Sequence, residues 1–85
     1  MKANVVTHVD DFDAGGPGTV MWTVGRDSLL NKCPGCGKPA TLPIRSDLRP
    51  RWDIVNVDPI TLTPSILHSE CGWHGYLTNG EFCSV

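Results

Sequence analysis

Side chains that bind soft and borderline metals occur in two short groups. Cys33-Pro34-Gly35-Cys36 is followed by Gly37, and Cys71-Gly72-Trp73-His74 is followed by Gly75. In each group two residues separate the donors, a spacing that lets both reach one ion, and the next glycine can turn the backbone with positive φ beneath it. Three thiolates and one imidazole complete a tetrahedral set. Cys33, Cys36, Cys71 and His74 are therefore the expected ligands of one structural zinc ion. A redox pair would need only the first group and a βαβ setting, which the chain lacks. Iron also occupies thiolate-rich sites, so metal analysis decides the identity.

Other donors have plainer explanations. Cys83 reads as a small apolar residue, although the expected hairpin register puts it diagonally across from His74. His68 lies three residues before Cys71, but it precedes the second group and lacks its own following glycine, so it reads as a polar strand residue. His8 is isolated. His68-Ser69-Glu70 together with a Cys-x2-Cys matches fragments of the zinc deaminase signature, in the reverse order and without helices to carry them. Ser65 and Ser69 lie near His68, yet no nucleophile-elbow motif surrounds either. Gly15-Gly16-Pro17-Gly18 lacks the lysine of a phosphate-binding loop. No catalytic set is recognisable, and binding is the expected activity.

A chain of 85 residues makes one domain at most, over positions 1–85, whose apolar core contributes only about 3 to 5 kcal/mol. Bound zinc adds on the order of 10 kcal/mol in small metal-dependent modules, so metal and fold are expected to stand together. The N-terminal segment breaks into His8, Asp10 and Asp11 instead of continuing as an apolar export signal. With no membrane span either, the expected location is the reducing cytoplasm of the host cell. Seven Lys and Arg against nine Asp and Glu give a net charge of −2, which does not recruit nucleic acid by itself. Arg45, Arg49 and Arg51 beside Trp52 carry the alternative, a nucleic-acid-binding zinc ribbon. A metal-dependent hydrolase is a third reading, less favoured because four protein donors close the ion.

Seven prolines and nine glycines cut the chain into pieces suited to strands. Asn4–Val9 and Thr19–Val24 are expected to pair as a first hairpin, and Ser28-Leu29-Leu30 to form at most a helical turn. Trp52–Val57 alternates, with Trp52 and Ile54 on one side. Pro59 and Pro64 interrupt the segment between them. Asn79-Gly80 signals a type I′ hairpin in which Thr78 faces Glu81, Leu77 faces Phe82 and Tyr76 faces Cys83. The expected fold is all-β, a small zinc-ribbon-like twisted antiparallel sheet with two metal knuckles.

The order Cys33-Pro34-Gly35-Cys36-Gly37, Trp52-Asp53, Thr61-Leu62-Thr63-Pro64-Ser65-Ile66, Cys71-Gly72-Trp73-His74-Gly75 and Asn79-Gly80 resembles a small zinc-binding family of tailed phages and prophages. Relatives also occur in bacterial operons for ubiquitin-like modification, and some carry the label "ammonia monooxygenase", which suits a multi-span copper protein and not this chain. The resemblance implies a metal-binding β domain and supplies no activity. The expected function is that of a phage-encoded accessory protein that binds a host or phage protein. Thr61, Thr63 and Ser65 form a row of hydroxyls, most simply explained as strand residues before a bend at Pro64. Purified protein is expected to carry one zinc per chain, and its removal by a chelator to abolish cooperative unfolding. Elemental analysis and thermal melts with and without chelator check both.

Overall fold

A computed structural model describes residues 1–44, 47 and 51–85. The described residues form nine strands and one short α-helix. A four-stranded sheet is built from β1 (Asn4–Val5), β2 (Thr19–Trp22), β3 (Ser28–Lys32) and β4 (Pro39–Pro43), in that order. β5 (Asp53–Asn56) pairs with β6 (Thr61–Thr63), while β7 (Ile66–His68), β8 (Trp73–Thr78) and β9 (Glu81–Ser84) make a three-stranded meander.

The expected all-β class is observed, with the strands divided among three sheets and a short helix in the connection where a loop was expected. β1 lies parallel to β2, with Asn4 opposite Thr19 and Val5 opposite Val20. Parallel neighbours cannot be joined by a tight hairpin, so the chain must cross over between them. That crossover contains α1 (Val9–Ala14). Asp10 and Asp11 occupy its first turn, where carboxylates oppose the positive end of the helix dipole. Phe12 is its one buried residue. Six residues with one buried side chain show no helical periodicity, which is why local pattern favoured a hairpin. Lys32 secures the crossover, donating from Nζ to the carbonyls of Asp13 and Gly15 at 2.8 and 3.0 Å.

Ser28-Leu29-Leu30, expected as a turn of helix at most, belongs to β3, an inner strand of its sheet and antiparallel to both β2 and β4. Its alternation is real, with Leu29 and Asn31 buried between half-buried neighbours. Nearby, Trp52 is buried and Ile54 half-buried, while Asp53, Val55 and Val57 are exposed, as their alternation predicts. The C-terminal hairpin has the expected register, Thr78 to Glu81, Leu77 to Phe82 and Tyr76 to Cys83. Asn79 and Gly80 take φ of 52° and 75°, the paired positive angles of a type I′ turn.

The three sheets share one core. Val20, Leu29, Leu42, Ile44, Trp52, Ile60, Leu62, Ile66, Leu77 and Phe82 form a continuous buried cluster, with Trp73 packed edge-on against Phe82 at 5.8 Å between ring centroids. Leu29 is fully buried at its centre, whereas Val24 is 95 % exposed. Leu29→Ala is expected to cost about 3 kcal/mol through lost transfer energy and cavity formation, and Val24→Ala under about 0.5 kcal/mol. Denaturant midpoints of the metal-loaded protein at unchanged slope check the contrast.

Candidate functional site: a cysteine cluster and a serine–histidine pair

Two constellations of reactive side chains sit on the two sides of the β7–β8 hairpin. The first is a cluster of Cys33, Cys36 and Cys71, whose sulfurs all lie within 4.8 Å of one another. Cys33 follows directly on β3 and is buried, and its Sγ is 3.3 Å from that of Cys71. The backbone N–H of Gly35 points at Cys33 Sγ from 3.3 Å. Gly35 also rests against the second segment: a Cβ there would lie 3.2 Å from Trp73 Cβ and 3.5 Å from Cys71 Sγ. Sulfur separations of 3.3–3.7 Å approach the ~3.8 Å edge of a tetrahedron with metal–sulfur bonds of about 2.3 Å. The donor set fits a thiophilic ion, and no disulfide links the cysteines.

His74, expected as the fourth donor, does not join this cluster. The cause is the start of β8. From Trp73 onward the chain is extended and successive side chains alternate, so Trp73, Gly75 and Leu77 turn toward the core while His74, Tyr76 and Thr78 turn to solvent. The expected neighbour of His74 behaves as the register requires. Cys83 pairs with Tyr76 and is exposed, away from the clustered sulfurs.

On that outward face His74 has a different partner. Its Nε2 lies 2.9 Å from Ser65 Oγ. Ser65 stands in the connection between β6 and β7, just after the bend at Pro64. The buried indole of Trp52 donates from Nε1 to the Ser65 carbonyl at 3.2 Å, fixing the backbone of the serine from beneath. With the imidazole proton on Nδ1, the Ser65 hydroxyl donates to Nε2, the arrangement of a nucleophile with its general base. Among the described residues no carboxylate is paired with His74. The ion pair they do contain joins Lys38 to Glu70 at 3.5 Å.

Trp52 is therefore a core residue that positions Ser65 and not an exposed stacking platform. Of the basic residues proposed to accompany it, Arg45 and Arg49 fall outside the described residues, and Arg51 is exposed. His8 flanks α1 at its N-terminus and belongs to neither the cysteine cluster nor the Ser65 contact.

Sequence reasoning set Ser65 against His68 and missed His74. The usable signal was alternation: Ser65 and Leu67 share a face around buried Ile66, and Leu67 is the cross-strand partner of His74. Reading it required the length of the β7–β8 turn, which the presumed Cys71–His74 metal group concealed.

A burial of a different kind marks His68. It is 8 % exposed, and Nε2 has no hydrogen-bond partner among the described residues. Loss of hydration holds its pKa below the usual histidine range, with the Glu70 carboxylate partly opposing.

Fold and site together define a mostly β protein with a cysteine cluster able to hold a metal and a serine–histidine pair on the solvent face of the β7–β8 hairpin. Residues 5–85 match the family described as "Bacterial ubiquitination-like system serine protease (BubE)", and the chain belongs to that family. No curated protein and no solved structure matches it. The expected link to ubiquitin-like modification is thereby met at the level of the family, which carries no information on a phage source. Among the described residues no helix is long and apolar enough to cross a membrane.

Serine replacement of Cys33, Cys36 or Cys71 is expected to drop bound metal below about half an equivalent per chain. Cys83→Ser is expected to retain it. Metal content by elemental analysis, normalised to folded protein, distinguishes them.

Proposed function

We propose that this protein is a serine protease of a bacterial ubiquitination-like system, with Ser65 as nucleophile and His74 as general base. The observation that supports this most directly is the 2.9 Å contact between Ser65 Oγ and His74 Nε2, at the distance a nucleophile–base pair requires. The family description points to the same reaction class.

The chemistry is acyl transfer. As Ser65 Oγ bonds to the carbonyl carbon of the scissile amide, its proton passes to His74 Nε2. Collapse of the tetrahedral adduct breaks the carbon–nitrogen bond while His74 returns that proton to the departing amine, leaving an ester on Ser65. Water, deprotonated by the same Nε2, then hydrolyses the ester and restores the hydroxyl.

The setting favours a polypeptide substrate. Ser65 and His74 lie on an open sheet face beside exposed Leu67 and Tyr76, whereas the cavity lined by Cys33, Cys36, Trp52 and His68 includes neither of them and meets that face only at Leu67. An extended chain can lie along such a face and make repeated main-chain contacts. The protein partner expected from the sequence becomes the substrate. Zinc is the metal best suited to the cysteine cluster, where it would tie the hairpin in place and take no part in bond cleavage.

A fluorophosphonate probe is expected to label Ser65 in the wild type, as read by peptide mass mapping. Ser65→Ala and His74→Ala are each expected to lower cleavage of a fluorogenic peptide by at least about 1,000-fold while leaving circular dichroism unchanged. Equal turnover by the wild type and Ser65→Ala would overturn the assignment.

A further inference from the structure

His68 sits where the fold repeats itself. After β3 the chain runs Cys33-Pro34-Gly35-Cys36-Gly37, and after the first residues of β7 it runs His68-Ser69-Glu70-Cys71-Gly72. In the first loop the carbonyl of Cys33 accepts the N–H of Gly37 at 2.8 Å, and Gly37 has φ of 79°. In the second the carbonyl of His68 accepts the N–H of Gly72 at 2.7 Å, and Gly72 has φ of 80°. Each loop opens with a buried residue at the end of a strand, places an exposed cysteine three positions later, and closes on a glycine in the left-handed region. The two loops are matched knuckles. His68 holds in the second the place that Cys33 holds in the first.

We propose that His68 is the fourth ligand of the metal centre, completing a set of Cys33, Cys36, His68 and Cys71 through its Nε2. A second observation, independent of the backbone match, supports this. His68 lines the same cavity of about 190 Å³ as Cys33 and Cys36, and its Nε2 is buried with no partner among the described residues. An unpaired polar atom in such surroundings is costly, a penalty removed if the atom binds an ion. The ring nitrogens are not within 4.8 Å of all three sulfurs, so the imidazole swings toward the cysteines when the ion enters. Glu70, the other donor lining the cavity, is 67 % exposed and paired with Lys38. His74 is committed to Ser65 on the far face. The centre is then closed, with no coordination position left for substrate.

The chain has three histidines, so the double variant His8→Ala/His74→Ala leaves His68 as the only imidazole. Zinc-edge X-ray absorption of this variant is expected to show three sulfurs and one imidazole nitrogen at one zinc per chain, unchanged from the wild type. In competition with a chromophoric chelator, His68→Ala is expected to bind zinc at least tenfold more weakly, and His68→Cys to recover tight binding with a four-sulfur spectrum. Absence of imidazole scattering in the double variant, or a metal-free wild type, would overturn the proposal. Should His68→Ala fail to fold, the double variant and His68→Cys still decide it. None of these measurements depends on proteolysis, so failure here leaves the Ser65 assignment standing, and failure of that assignment leaves this one.

Discussion

Everything else in this small protein depends on the convergence of two distant loops at Cys33, Cys36 and Cys71. The first loop continues the central strand of the four-stranded sheet, and the second joins β7 to β8. Sulfurs from both sides therefore fasten the two larger sheets to each other at one end of a shared core. Gly35 packs so closely on Trp73 that a Cβ there would require its neighbours to give by a few tenths of an ångström. In a chain of this size the core alone leaves little stability to spare, and a constraint between residues far apart in sequence adds to it by limiting the unfolded chain as well as by bonding.

The same hairpin separates two chemistries through the simplest property of a strand. Alternation sends Trp73 toward the cluster and core and His74 to the solvent face. Ser65 reaches that solvent face from the adjoining connection, and Trp52 holds its carbonyl from the core side. The loop that carries Cys71 thus sets the register that brings the serine and histidine together: the turn between His68 and Trp73 determines that Leu67 stands opposite His74.

The departures from expectation share one cause, the weight of neighbours over local pattern. Residues 9–14 are too few to show a helical period, and they become helical because parallel β1 and β2 require a crossover in which Phe12 can be buried. Ser28–Lys32 carries Leu-Leu, compatible with either helix or strand, and is a strand because β2 and β4 flank it on both edges. Pro59 and Pro64 fall outside β6, as chain chemistry demands.

By itself the sequence determined whatever depends on residues close together. Prolines and glycines dictated short strands, Asn79-Gly80 fixed its hairpin and register, Trp52 and Ile54 announced their buried side, and the cysteine spacing announced a metal-binding loop. Only tertiary structure decided which histidine belongs to which chemistry. His68 and His74 both lie three positions from Cys71, one before and one after, so spacing treats them alike. Their fates diverge because a knuckle closes at Gly72 and a strand begins at Trp73. Burial then keeps His68 on the cavity that Cys33 and Cys36 line while alternation turns His74 to Ser65.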